Sequence, residues 1–524
     1  MLTTVAVVAL VASTDAGLAK SKHSASASDS SYSAAPPPAT PAGPSNAELA
    51  SRIDALEAEL AAAEEHRNAD HGRLSALEQN FNDTSWTFDN ARPTVKSGDG
   101  RFTMAFRVRF QSDFAGFMQD KHAAPFAGPA DLSSGAVIRR AYFGVEGKVF
   151  NDFAYEFRLN AGGTNGGLGT VAAGQNFPTA GEGDPLLNKA VITYTGIPHW
   201  HFNVGVIEPA FMFEGTTSSA SLIFLERPEI DNIAADSFGA GDSRRGVELG
   251  WQKTDALWGG DNLAITAAFT GNKTGSAGNH GNGGDENSQL LGRISERLWT
   301  DGVSSNIQIG ASGANIFYSG SGANGAGQSI NLQDRPEIRV DGTRLISTGG
   351  INAKTGHMWS VDAGGNIDNF FLGGEYTDFT IDHETAIGGP IVNHPSFSGW
   401  YVEGSWILTG ESKTYSPGAI NNEVGGFNAP VPSAPFSFSG NSWGAWELAV
   451  RYSNTDLDWH TNLASGIFGG EERVVAVALN WYLNRNIRLM LDDNIVSVKK
   501  GVFGNLNRDG QDVNIVGVRL QFAN

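Results

Sequence analysis

The feature that most constrains this chain is a strict alternation of apolar and polar residues, recurring from about residue 101 to the end. In Phe106-Arg107-Val108-Arg109-Phe110 every second residue is charged. Successive side chains of a β-strand point to opposite faces, so Phe106, Val108 and Phe110 share one face and Arg107 and Arg109 the other. Ala141, Phe143, Val145 and Val149 stand in the same way against Arg140, Tyr142, Glu146 and Lys148. Tyr155, Phe157 and Leu159 oppose Glu156, Arg158 and Asn160. Trp446, Leu448 and Val450 oppose Glu447, Ala449 and Arg451, and Val518, Leu520 and Phe522 oppose Gly517, Arg519 and Gln521.

A soluble sandwich alternates too, but two features favour a barrel in lipid. Charges recur at mid-strand on the polar face, which suits a wet lumen. Aromatics gather at strand ends, at Trp200 and Phe202, Trp400 and Tyr401, Trp443 and Trp446, and Trp481 and Tyr482. Such girdles sit at lipid interfaces. No apolar run of about 18 residues follows the N-terminus, which excludes a helical membrane protein. Gly/Asn/Ser-rich segments at 271–287 and 319–329 read as long outer loops, and Asn484-Arg485-Asn486 as a short inner turn. About 420 residues shared among roughly 16 strands leave about 26 for each strand and its connection. The expected fold is all-β, a transmembrane antiparallel barrel of about 16 strands. A barrel that wide is expected to enclose water, because side chains cannot fill it.

The chain has 66 Gly, no Cys and a net charge of -20. High glycine with many aromatics favours strands and turns over helices. Disulfides and thiolate metal sites are excluded. So acidic a chain is a poor match for nucleic acid. No Gly-x-Ser-x-Gly elbow, Walker loop or HExxH helix occurs. His199 and His201 lack a third ligand nearby, and Asp492-Asp493 point to opposite faces of a strand. No enzyme activity, cofactor or metal is expected.

The N-terminal region reads differently. An apolar run at residues 5–12 and the small-residue site Gly17-Leu18-Ala19 predict a signal peptide over 1–19, although its first cation is only Lys20. Residues 20–45 are Ser/Ala/Pro-rich and read as a disordered linker. Over 46–82, Leu49, Ile53, Leu56 and Leu60 begin a 3-4 spacing that continues through Ala63, Leu74, Leu77 and Phe81. This is a coiled-coil seam, weakened where Arg67 and Asp70 fall on it. Ser45 or Asn46 would cap the helix. A trimer is the natural assembly for such a helix ahead of a porin-like barrel over 86–524.

Several segments resemble the phosphate-selective porin O and P family, over about residue 86 to the C-terminus. They include Arg109-Phe110-Gln111-Ser112-Asp113, Ile138-Arg139-Arg140-Ala141-Tyr142, Thr217-Ser218-Ser219, Leu225-Glu226-Arg227 and Leu479-Asn480-Trp481-Tyr482-Leu483-Asn484. The resemblance implies a trimeric outer-membrane barrel of a Gram-negative bacterium, its third loop folded inward, passing small anions such as phosphate. By position it implies that Arg109, Arg139, Arg140, Tyr142, Ser218 and Ser219 line the constriction. Guanidinium forks and hydroxyls suit phosphate oxygens, and cation rings select anions.

The chain departs from that pattern at Glu214-Gly215, where phosphate-selective members carry a lysine, and at Glu208, near a customary cation. Both changes remove positive charge and favour a general or weakly anion-preferring pore. The blander reading of the arginines is an electrostatic brace to Glu146 or Glu156. Ser218 and Ser219 could be loop caps, and Arg244-Arg245 and Glu226-Arg227 either position the inward loop against the wall or, the plainer reading, form purely structural ion pairs. The alternative for the whole chain is a soluble or surface β-rich carbohydrate-binding module, with a packed interior and an open edge.

Overall fold

The computed structural model describes residues 43–88, 91–119, 131–163, 187–274, 285–320, 329–386, 388–418, 424–503 and 510–524. The expected signal peptide and nearly all of the expected linker lie outside the described residues, as do parts of the 271–287 and 319–329 loops. The chain parts into two units after Leu74.

Helix α1 (Asn46–Asn82) carries no buried residue. Ser45 caps it: the Glu48 N–H donates to Ser45 Oγ at 3.3 Å. Its seam residues Leu49, Ile53, Leu56 and Leu60 are all exposed.

The second unit is built on sixteen long strands. They are β1 (Thr103–Gln119), β2 (Gly135–Val149), β3 (Phe153–Asn160), β4 (Leu187–Tyr194), β5 (Trp200–Ile207), β6 (Arg244–Thr254), β7 (Asn262–Lys273) and β8 (Ser288–Thr300). The second half comprises β9 (Ser305–Tyr318), β10 (Ile351–Ile367), β11 (Phe370–Glu384), β12 (Ser396–Ile407), β13 (Ala445–Trp459), β14 (Ile467–Tyr482), β15 (Ile487–Lys499) and β16 (Gln511–Ala523). Each pairs antiparallel with the next, and β16 returns to β1 from Val513↔Gln119 to Ala523↔Arg109. The sheet therefore closes with no open edge, unlike the binding-module alternative.

Alternation sets the two faces. Phe114, Phe143, Phe157, Val450 and Leu520 are exposed on the outside, while Gln111, Asp113, Arg158, Arg451 and Arg519 are buried inside. This inversion of a soluble protein is what a lipid surround requires. At the short-turn end the aromatics Trp200, Trp299, Phe370 and Trp406 are exposed. Tyr401 and Tyr482, read from sequence as girdle residues, instead face inward and are buried. Each is one residue out of phase with its outward tryptophan neighbour.

The interior differs from a simple water-filled bore. Three connections fold into it: residues 208–243 after β5, 329–347 after β9, and, after β12, residues 412–418 and 424–430. Phe213 of the first packs on Phe371 of the wall (6.4 Å between ring centroids) and on Phe427 of the third (6.2 Å). Phe238 meets Phe379 at 5.8 Å. Gly364, Gly373 and Gly399 on the inner wall make room. A Cβ at Gly364 or Gly373 would collide with the Phe213 ring, and one at Gly399 with Ile230 Cγ2. Backbone segments thus fill the space that strand side chains cannot, building an apolar core on the β9–β15 side.

Candidate functional site

A polar cavity of about 110 Å³ remains against the β1–β5 wall. All six residues singled out from the sequence, Arg109, Arg139, Arg140, Tyr142, Ser218 and Ser219, line it. Arg107 and Arg109 reach it by simple alternation along β1. Arg139 and Arg140 reach it together because of a β-bulge: Gln111 pairs with Arg140 and Ser112 with Ile138, leaving Arg139 unpaired in the ladder. The extra residue flips the phase, so neighbouring arginines both point inward. Each is at most 5% exposed.

The inward loop supplies the facing wall. Its start is set by Glu208, its hydroxyl rim by Thr217, Ser218 and Ser219, and its far side by Asp231, Asp236 and Asp242. Glu226 staples it to the barrel. Its carboxylate accepts from Arg139 Nε at 2.7 Å and Arg519 at 2.8 Å, and lies 3.9 Å from Arg140 and 3.7 Å from Arg339. Burial alone would raise its pKa, but these four guanidiniums outweigh it and hold the carboxyl well below its usual range. Arg519 is also bidentate to Asp113, at 2.6 and 2.7 Å. Arg227 binds carbonyls within the loop, those of Glu214 (2.7 Å) and Thr217 (2.6 Å). Arg244 donates to the carbonyls of Ala235 (3.2 Å) and Asp236 (3.1 Å). Glu226, Arg227 and Arg244 thus hold the loop, as one sequence reading had it.

Pairing decides which cations remain available. Arg107 is held by Glu146 at 3.1 Å and lies 3.6 Å from Glu156. Arg158 pairs with Glu156 at 3.2 Å and with Glu208, and Lys189 with Glu156 at 3.2 Å. The brace to Glu146 or Glu156 is thus made by Arg107 and Arg158; Arg139 and Arg140 lie against Glu226 instead, and Arg109 against none of the three. Arg109 donates to Ser218 Oγ at 2.9 Å and to Ser219 Oγ, and pairs with no carboxylate among the described residues. Tyr142 lies between two guanidiniums, Arg109 at 5.5 Å and Arg158 at 4.9 Å from its ring.

The two acidic departures have different fates. Glu208 lines the cavity and offsets Arg158. Glu214 is buried and is not part of the lining. Sequence reasoning missed Arg107 and Arg158 as lining residues, although both share the phase of named ones. It also missed Lys273 and Arg339, which alternation on β1 and β2 could not bring in.

The family described as phosphate-selective porin O and P matches residues 104–523. The chain belongs to that family. It is accordingly an outer-membrane porin, and its barrel bounds a diffusion channel. An uncharacterized protein of Caulobacter vibrioides is 25% identical over 190 residues, covering 36% of this chain and 34% of that protein. The match thus spans about a third of the relative's length. Among solved structures, an anion-selective porin from Comamonas acidovorans is 11% identical (TM-score 0.45), over 81% of this chain and all of that one. Salmonella typhi OmpF in complex with daunomycin is 14% identical (TM-score 0.44), over 80% and 98%. Likeness of this degree carries no argument.

Proposed function

We propose that the porin is a general, weakly anion-preferring channel for small solutes, phosphate among them, and that it works as a homotrimer. One observation carries the anion preference: Arg109 faces the cavity with only hydroxyl and aromatic partners among the described residues. A guanidinium without a carboxylate, set beside two hydroxyls, attracts and can bind an oxyanion. Glu208 weakens the same wall, which favours a preference over strict phosphate specificity.

The trimer rests on strand length. β3 and β5 have 8 residues each. At about 3.3 Å per residue and a tilt near roughly 40°, they rise roughly 20 Å, short of an apolar band about 25 Å tall. Such a sector suits contact with another copy better than contact with lipid. The exposed seam of α1 fits a parallel coiled coil in the same assembly.

Single-channel recording in planar bilayers tests the reading. A reversal potential in a KCl gradient should report chloride over potassium, and millimolar phosphate should reduce the chloride current. Cation preference would end the anion reading; chloride current indifferent to phosphate would end the phosphate part.

A further inference from the structure

The connection from β12 to β13, residues 408–444, is the one long link among the described short-turn connections. Among its described residues, 412–418 and 424–430 enter the lumen, but 435–443 do not. Residues 435–443 form a small hairpin, closed by Ser437 N–H to Ser442 O at 3.0 Å and Ser442 N–H to Ser437 O at 3.2 Å. The hairpin folds back onto the outside of the barrel. Phe436 N–H donates to Leu483 O at 2.6 Å, and Trp481 Nε1 donates to Trp443 O at 2.7 Å. Trp446 and Trp481 are the outward residues at the ends of β13 and β14, stacked with centroids 5.0 Å apart. Phe436 packs edge-on against Trp481 at 5.2 Å and against Phe438 at 4.6 Å.

Three observations fix the surroundings this hairpin is built for. Phe438 is 82% exposed and Trp443 is 55% exposed. Two rings left so bare beside the lipid-facing Leu448 and Val450 column extend the apolar surface of the barrel. Next, residues 424–446 carry no Asp, Glu, Lys or Arg in a chain otherwise rich in carboxylates. Finally, the backbone is largely satisfied from within. Gly440 N–H donates to Ser437 Oγ at 3.0 Å, Ser442 Oγ donates to Pro435 O at 2.5 Å, and Pro430, Pro432 and Pro435 have no N–H to satisfy. A loop in water has no need of such economy of donors, whereas a loop among acyl chains does.

We infer that the 435–443 hairpin is an interfacial membrane anchor that seats Phe438 and Trp443 in the phospholipid leaflet on the short-turn side. The occupant of this surface is the boundary between headgroups and acyl chains. Trp443, an aromatic ring with one polar edge, prefers that depth, and Phe438 adds wholly apolar surface beside it. Continuity with the outward column of β13 and β14 favours lipid over a second protein.

The chain has no cysteine, so Phe438→Cys gives a single labelling site. An environment-sensitive fluorophore there, in the full porin in phospholipid vesicles, should emit blue-shifted light. Lipids spin-labelled close to the headgroup should quench it more than lipids labelled at the chain end. Emission typical of water, without quenching by either lipid, would overturn the anchor. So would an oxidative cross-link joining two copies through the introduced thiol, which would assign the surface to a neighbouring protomer. Ser439→Cys, at the hairpin tip, provides a second site, and gel mobility with and without heating confirms that each labelled barrel is folded.

Discussion

At the scale of single residues, selectivity depends on which charges lack partners. Removing one unit charge about 10 Å from an ion in water changes its energy by roughly 0.4 kcal/mol. This is about twofold for an anion and about twofold the other way for a cation. Arg109→Ala should therefore lower the chloride-to-potassium permeability ratio by roughly fourfold at low salt, and less at high salt. Glu208→Gln should raise it by a similar factor, because it frees part of the charge on Arg158. Reversal potentials check both, and equal ratios in all three proteins would assign selectivity elsewhere. Asp231 adds a pH dependence. Burial, with Glu214 nearby, pushes its carboxyl up to about 8. It is uncharged below that pH and becomes an anion on the cavity wall above it, so anion preference should fall as pH rises through about 8. Asp231→Asn should remove that step. The role of Arg109 was legible in the sequence because alternation alone sends it inward. Of the two carboxylates that neutralise Arg158, Glu156 shares its strand face, but Glu208 was not legible, since it lies 50 residues away and meets Arg158 only through the pairing of β3, β4 and β5. Arg139 was named by resemblance alone, since alternation sends it to the face opposite Arg140: a bulge is an irregularity of pairing, and one strand's sequence does not record where its neighbour skips a residue.

At the scale of elements, the inward loop is held by charge at one side and by shape at the other. Glu226 is the charge staple. Glu226→Gln would take from Arg139, Arg140 and Arg519 the carboxylate they share, while Arg519 keeps Asp113. Breaking a buried pair of this kind costs about 3–5 kcal/mol. The expected results are a lower midpoint for heat-induced loss of the folded gel band and noisier open-channel current. A midpoint and noise equal to the parent's would show the staple to be dispensable. The glycine seats act through shape. Gly373→Val would meet the Phe213 ring, push the loop toward the arginine wall and reduce conductance without changing its sign preference. Strands were legible because alternation repeats, and the sheet's closure followed from their number. The filling of the lumen was not legible from strand periodicity. Its signal lay in the loops themselves: Phe211-Met212-Phe213 and Leu222-Ile223-Phe224-Leu225 are too apolar for connections in water. Inward glycines on β10, β11 and β12 were the matching half of that signal.

For the whole molecule, the open question is how copies associate, and two separate parts of the chain bear on it. β3 and β5 are too short to meet a full lipid band alone, and α1 exposes a seam with a period of seven. In α1, Arg67 and Asp70 interrupt that seam with adjacent polar layers. Buried polar residues at such positions weaken a coiled coil but fix its register. The two parts predict separable behaviour. Deleting residues 46–74 should leave single-channel conductance unchanged, because every cavity residue lies in the other unit. It should lower the temperature at which the oligomer dissociates on semi-native gels, because a coiled coil of the proposed kind would raise the local concentration of barrels. Arg67→Ile with Asp70→Leu should act in the opposite sense, raising that temperature while loosening the choice of oligomer size. Sedimentation of the purified porin would register this as species other than trimers. If deletion leaves dissociation unchanged, the helix serves another partner, and the short strands alone must carry the trimer.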